Sequence, residues 1–183
     1  MKKFIIVTLL IMISLPAFAY DCLGFVTGID RLDYSEPDIL VMSAPAGLLY
    51  THLPDRKGVC LAVSMCTPVK VTVNGLRKKT TALVVDALFG YGTSFYFKNN
   101  LITLGGGLHG ESGLFNIDYD AMYRNSVGWG GIASWTFPRI NLSLIAQVYH
   151  DFAGMYFGEI GDKSKMMVRK SKVGFSFGLC YKL

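Results

Sequence analysis

Beyond its N-terminal segment, the 183-residue sequence lacks a hydrophobic run long enough to cross a membrane as a helix. Such a helix needs about 20 consecutive apolar residues. Yet 51% of the residues are hydrophobic and 13% are aromatic, and the mean hydropathy is +0.38. The apolar residues are therefore spread along the chain. A transmembrane β-barrel has this property, because its lipid-facing residues alternate with lumen-facing ones.

The sequence also has little excess charge and no complete catalytic or cofactor motif. The net charge of +5 falls to +3 without the two N-terminal lysines, which gives no support to a nucleic-acid partner. The three histidines, His52, His109 and His150, lack the spacing of metal ligands. The glycine run at 105–107 lies in a strand pattern with no helix after it, which excludes a phosphate loop. We expect no metal and no cofactor.

The N-terminal segment has the features of an export signal. Two lysines precede an apolar stretch, residues 4–15, and an A-x-A cleavage pattern ends at Ala19. We therefore expect a signal peptide over 1–19 and one mature domain over 20–183. Export and the apolar composition together predict the outer membrane of a Gram-negative-type envelope.

The mature sequence divides into eight strand-like segments, each able to supply the 9–11 residues of a membrane-crossing strand. They are residues 22–30, 39–51, 58–67, 81–97, 101–115, 126–137, 140–152 and 172–183. In the last segment, every second residue from Val173 to Leu183 is apolar or aromatic, and the residues between them are mostly small. Period two places these sets on opposite faces of a sheet. Large residues suit lipid and small ones suit a narrow lumen.

The connections between these segments alternate in length. Short turns are expected at 54–57, 98–100 and 138–139, and long loops at 31–38, 68–80, 116–125 and 153–171. Short turns on one rim and long loops on the other are typical of outer-membrane barrels, with both termini on the short-turn side. The fold class is therefore predicted as all-β, an eight-stranded antiparallel up-and-down transmembrane β-barrel. The alternative is a soluble exported barrel with the apolar face inside.

The second segment departs from the pattern. Pro45 lies in its middle and cannot donate a ladder hydrogen bond. Leu48 and Leu49 also break the alternation. A β-bulge near Pro45 would account for both features.

The terminal strand, the signal peptide and the alternation of connection lengths resemble the small eight-stranded outer-membrane barrels, the OmpA/OmpX type and the OmpW-like group. The resemblance implies that the barrel-assembly machinery recognises the last strand, which in that class usually ends in an aromatic residue. Here the chain ends in Leu183, two residues after Tyr181. The resemblance is architectural and transfers no function.

Polar residues on the inward faces are predicted to form a network in the lumen. They are Asp86, His109, Glu111, Gln147 and Tyr149. We favour a structural network that pairs its charges over an acid/base or metal site.

Two of the four cysteines lie near the closing seam of the barrel. Cys22 and Cys180 fall near the short-turn ends of the first and last strands, and they are candidates for a disulfide. Cys60 and Cys66 lie six residues apart on one strand and cannot pair with each other. The alternative is four reduced cysteines that face the lumen.

Basic residues cluster in two long loops, and they could meet anionic lipid headgroups or a host polyanion. They are Lys70, Arg77, Lys78, Lys79, Lys163, Lys165, Arg169 and Lys170. Solvated loop surface is the alternative. Apolar residues at 155–157 and 166–168 could extend the last hairpin as an edge that binds a protein by strand addition.

Three functions stay open. The first is a non-enzymatic barrel in outer-membrane lipid with a structural or surface-interaction role and an unknown surface ligand. The second is a narrow porin-like channel, because the many lumenal glycines leave room. The third is a lipid A deacylase, a hydrolase class of similar size that needs a serine two residues after a histidine. Phe152 holds that position after His150, and Ser112 faces away from His109. We therefore expect no enzyme.

Overall fold

The computed structural model describes residues 19–35, 38–78, 80–117, 120–160 and 163–183, and almost all of them lie in strands. The strands are β1 (Ala19–Ser35), β2 (Asp38–Pro54), β3 (Lys57–Val73), β4 (Leu76–Lys78), β5 (Thr80–Phe97), β6 (Asn100–Ile117), β7 (Asp120–Phe137), β8 (Leu142–Ile160) and β9 (Lys163–Lys182). A 3-10 turn at Pro138–Ile140 precedes β8. Apart from Ala19, the predicted signal peptide lies outside the described residues. No helix in this part of the chain is long and apolar enough to cross a membrane.

Eight long antiparallel strands close into a barrel. Each long strand pairs with its neighbours in chain order, and β9 returns to pair with β1. The short β4 folds back on the end of β3 as a small hairpin. The predicted eight-stranded, all-β fold is confirmed.

The long strands contain 17 to 20 residues each, about twice the length that crosses a membrane. Most residues predicted to form long loops, such as 153–160 and 163–171, instead continue the strands. The expected long loops are therefore paired strands over these residues, and the last hairpin is extended at 155–157 and 166–168 as the sequence suggested. The physical reason is that hairpin pairing satisfies backbone groups that a long open loop would leave to water.

The short turn between β5 and β6 is formed by two residues with positive φ. Lys98 and Asn99 have φ values of 46° and 69°, and they join the directly opposed pair Phe97 and Asn100. Two-residue turns with both φ values positive match the right-handed twist of the strands that they connect. The first described residue, Ala19, lies opposite Pro54, which places the start of β1 on the short-turn rim.

A bulge lies beside Pro45, as predicted, but it is in β3 and not in β2. The register of β2 with β3 shifts between Ala44 and Pro45, because Ala44 lies opposite Lys70 whereas Pro45 lies opposite Pro68. The extra residue is thus Val69 on β3. Two prolines face each other where neither can donate to the ladder.

The barrel wall is apolar on the outside. Phe25, Tyr91 and Trp129 are 72%, 61% and 59% exposed, and the outward residues of β9 from Val173 to Leu183 are also exposed. A soluble monomer rarely exposes so continuous an apolar surface. The soluble alternative, with the apolar face inside, is therefore wrong.

Candidate functional site in the lumen

The lumen is layered along the barrel axis. The layer near the short turns combines apolar side chains with hydroxyl groups. Its apolar members include Leu49, Leu53, Leu101, Ile132 and Ile145, all buried. The phenol oxygen of Tyr20 lies 3.0 Å from the Thr103 hydroxyl and accepts a hydrogen bond from Thr136 at 3.2 Å.

The layer farther from the short turns is charged, and Lys172 of β9 lies at its centre. Its side chain is 0% exposed. The ammonium Nζ lies 3.3 Å from Asp86 Oδ1 and 3.9 Å from Asp30 Oδ2, and it also donates to the Glu111 carboxylate. The same nitrogen lies 4.5 Å from the centroid of the Tyr149 ring. One buried cation therefore joins carboxylates from β1, β5 and β6.

Two further contacts extend this network across the lumen. Arg124 of β7 donates to the second oxygen of Glu111, and the Tyr149 hydroxyl of β8 donates to Asp30. Arg124, Glu111, Asp30 and Tyr149 are all buried. Each buried charge in this group thus has a charged or hydroxyl partner, which a site of low dielectric requires.

His109 connects the network to a fourth carboxylate. Its Nδ1 lies 2.7 Å from Asp151 Oδ1, and its Nε2 lies 3.6 Å from Asp86 Oδ1. The imidazole stacks on Tyr149 with 4.2 Å between ring centroids. Ser126 donates to the other oxygen of Asp151 at 2.6 Å. The imidazole therefore lies between Asp151, with which its Nδ1 shares a hydrogen bond, and the carboxylates around Lys172. Among the described residues, no group of three or more His, Cys, Asp or Glu side chains is arranged to hold a metal ion.

Four of the five predicted lumenal residues lie together in this network. Gln147 is buried in the lumen as well, but its amide nitrogen makes no hydrogen bond among the described residues. Sequence reasoning missed Asp30, Arg124, Asp151 and Lys172. Period two did contain the signal for three of them, because Asp30 lies eight residues after Cys22, Asp151 follows Tyr149 by two residues and Lys172 precedes Gly174 by two.

Lumenal glycines accommodate large side chains from strands one or two positions away in the barrel. A Cβ on Gly130 would overlap Leu88, and one on Gly174 would overlap the Tyr149 ring. A Cβ on Gly178 would lie 2.7 Å from Leu49 Cδ2. The room that these glycines leave is therefore already filled.

The candidate disulfide is not formed, since all four cysteines are buried free thiols. Cys22 lies opposite Lys182, whereas Cys180 lies opposite Gly24. The two cysteines are diagonal neighbours, whose Cβ atoms are usually too far apart for the roughly 3.8 Å of a disulfide. The disulfide prediction is corrected to two reduced thiols.

The predicted basic residues lie on the part of the barrel away from the short turns. Lys70 and Arg77 are exposed on β3 and β4. The backbone alone is described for five more: Lys78, Lys163, Lys165, Arg169 and Lys170. Lys79 lies outside the described residues.

The residues considered for a hydrolase face lipid. His150 lies opposite Trp129 and Val173, and Phe152 is exposed on the same outer face. Ser112 is exposed, whereas His109, three residues before it, is 1% exposed.

Comparison with known proteins shows which solved structures have a fold similar to that of this chain. No family model and no curated protein matches the chain. The solved structure of Neisserial surface protein A is 13% identical, with a TM-score of 0.53, and the match covers 89% of this chain and 97% of that one. The attachment invasion locus protein Ail of Yersinia pestis is 14% identical, with a TM-score of 0.49 and coverage of 90% and 97%. A major outer membrane protein from Thermus thermophilus is 12% identical, with a TM-score of 0.49 and coverage of 88% and 99%.

At such identities the likeness shows the fold alone. The closed barrel agrees with its predominantly apolar outer wall, which suits lipid. The chain is an eight-stranded outer-membrane β-barrel protein.

Proposed function

We propose that the protein is a non-enzymatic outer-membrane barrel that acts through its outer hairpins and not through its lumen. The observation that carries the proposal is the filled lumen. Lys172 and its carboxylate partners occupy the charged layer, and Leu49 and Leu88 fill the space beside glycines in the apolar layer. Eight strands enclose only enough space for side chains.

The outer hairpins give the barrel a surface for interaction. In β8 and β9, pairing continues from Met155 and Val168 to Ile160 and Lys163. By contrast, the pairing of β9 with β1 ends at Arg169 opposite Tyr34. Residues 163–168 of β9 therefore have one paired side and one free edge among the described residues. Such an edge can take an added strand.

The sequence of this hairpin adds positive charge. Lys163, Lys165, Arg169 and Lys170 outnumber Glu159 and Asp162. A polyanion would be attracted to such a segment, and the attraction would weaken with salt. These features support a surface-interaction role with an anionic partner.

Conductance measurements test the claim that the lumen is filled and does not act as a channel. Refolded protein should insert into a planar bilayer and remain electrically silent, with insertion verified by protease protection in vesicles of the same lipid. Defined single-channel steps would instead favour the narrow channel, the second candidate function. The lumenal charges around Lys172 would then be the residues to change.

Heparin binding by cells that display the protein tests the claim that the hairpin of β8 and β9 binds an anionic partner. Replacing residues 157–166 by Asn-Gly should weaken binding, because it removes Lys163, Lys165 and most of the free edge, while the two-residue turn joins the opposed pair Tyr156 and Met167 and leaves the barrel intact. Neutralising all four basic residues to Gln should abolish binding. The matched control, Glu159→Gln with Asp162→Asn, should strengthen binding. Unchanged binding by the shortened hairpin would contradict the proposal.

The side chains on the outer face also support a role without catalysis. A deacylase of the expected kind needs a hydroxyl nucleophile two residues after its histidine. Phe152 takes this place beside His150. We expect membranes that contain the protein to release no fatty acid from lipid A above the level of protein-free membranes.

A further inference from the structure

A depression on the short-turn rim combines positive charge, hydroxyl groups and an aromatic ring. Its volume is about 690 Å³, and it is lined by Asp55, Arg56, Lys57, Thr93, Ser94 and Tyr96. Arg56 and Lys57 are exposed at the turn between β2 and β3. With the opposing charge of Asp55, the depression has a net charge of +1. Its chemistry suits a single phosphate group.

The backbone around the depression is held in place. The Ser94 N–H donates to the Arg56 carbonyl oxygen at 2.5 Å. The Ser94 hydroxyl donates to the Pro54 carbonyl oxygen at 2.5 Å and lies 2.6 Å from the Thr103 hydroxyl. The turn that presents the two basic residues is therefore fixed to β5 before any ligand arrives, which lowers the entropic cost of binding.

The wall next to the depression faces lipid and contains a notch. Lys57 lies opposite Thr93, and Tyr91, two residues along β5, is exposed on the same outer face. Tyr91 lies opposite Gly106, which in turn lies opposite Gly131. The notch formed by Gly106 and Gly131 thus lies roughly 7 Å farther along the strands than Lys57, and two to three strands to its side, or roughly 10–15 Å across the wall. A Cβ on Gly131 would meet its nearest atoms at the ordinary contact distance of 3.6 Å, so a side chain has room there, whereas one on Gly106 would lie 3.2 Å from the Gly130 carbonyl oxygen.

We propose that this depression binds the phosphate of an anionic phospholipid from the leaflet at the short-turn rim, while an acyl chain lies along Tyr91 and the Gly106–Gly131 notch. The continuity of a cationic depression with an apolar notch favours a lipid over a free anion. The net positive charge favours an anionic headgroup over a zwitterionic one. This inference does not depend on what the outer hairpins bind.

Lipid retention tests the inference. The full barrel is reconstituted in vesicles of equal parts phosphatidylcholine and phosphatidylglycerol and extracted in mild detergent, and bound lipids are then counted by native mass spectrometry. Phosphatidylglycerol should be retained preferentially. The variants Arg56→Gln and Lys57→Gln should each lower its retention about fivefold. The matched control Lys98→Gln, on another short turn, should leave retention unchanged.

A second variant separates the notch from charge alone. Gly131→Leu fills the notch without changing a charge, and it should lower retention of phosphatidylglycerol while the protein keeps its heat-modifiable migration. If Lys98→Gln lowered the retention of phosphatidylglycerol as much as Arg56→Gln and Lys57→Gln do, the attraction would be spread over the whole rim and the proposal would be overturned. Full retention by Gly131→Leu, or displacement of the lipid by millimolar inorganic phosphate, would overturn it as well.

Discussion

At the scale of single residues, the main feature of the lumen is the pairing of buried charges around Lys172. Four carboxylates, Asp30, Asp86, Glu111 and Asp151, share two permanent cations and His109. Removing one partner from a buried ion network leaves the others uncompensated, which costs more than the intact network contributes to folding. Lys172 contacts three of these carboxylates and is fully buried.

Lys172→Met should lower the free energy of unfolding by about 3–5 kcal/mol, because three carboxylates lose their shared cation. The matched control is Lys70→Met at an exposed lysine of β3, with an expected change within about 0.5 kcal/mol. Urea unfolding in vesicles, followed by the fluorescence of Trp129 and Trp135, measures both changes.

The double variant Lys172→Met with Asp86→Asn should recover part of the loss, since it removes one of the uncompensated carboxylates. A stability of Lys172→Met equal to that of the wild type would show that the buried network is not formed.

Lumenal positions could be predicted from the sequence only within the central parts of the strands. Period two placed Asp86, His109, Glu111, Gln147 and Tyr149 inside. Asp151 and Lys172 continue the same periodicity, but they lie next to segments that resemble loops in composition. Arg124 falls wholly in a predicted loop. The wrong Cys22–Cys180 disulfide has another cause. The two cysteines are offset by two residues in the pairing of the first and last strands, and this offset depends on the stagger of the closed barrel, which the sequence does not reveal.

Turns were the most predictable structures at the element scale, because their residue types have local physical causes. Asn tolerates positive φ, which predicted the tight turn at 98–100. Proline without an N–H predicted the position of the bulge, but not that the extra residue belongs to β3. The outer hairpins were harder to predict. Their strands lie beyond the lipid, where no alternation of apolar and polar residues is required, and only cross-strand pairing reveals them.

The turn between β5 and β6 offers a stability prediction. Lys98 has a φ of 46°, a region that costs energy for a residue with a long side chain. The variant Lys98→Asn with Asn99→Gly should raise the free energy of unfolding by about 0.5–1 kcal/mol. The urea midpoint in vesicles measures the change. A lower midpoint would indicate that the turn is not of the two-residue type seen here.

At the scale of the whole molecule, the barrel has lipid on its outside and packed side chains in its lumen. Trp129 and Trp135 project from β7 toward lipid. Tyr20 is buried in the lumen near the short-turn rim. Because Trp135 is six residues closer than Trp129 to the short turn after β7, the two indoles should lie at different membrane depths. The same wall could not face water without exposing a large apolar surface.

Quenching of single-tryptophan proteins by brominated lipids tests this account most directly. Trp129→Phe and Trp135→Phe each leave one outward indole, and both should be strongly quenched, with Trp135 favouring bromine placed nearer the headgroup. Tyr20→Trp, with both native tryptophans replaced by Phe, should remain unquenched because that position lies inside the barrel. Strong quenching at position 20, or none at 129 and 135, would contradict the assignment of the two faces.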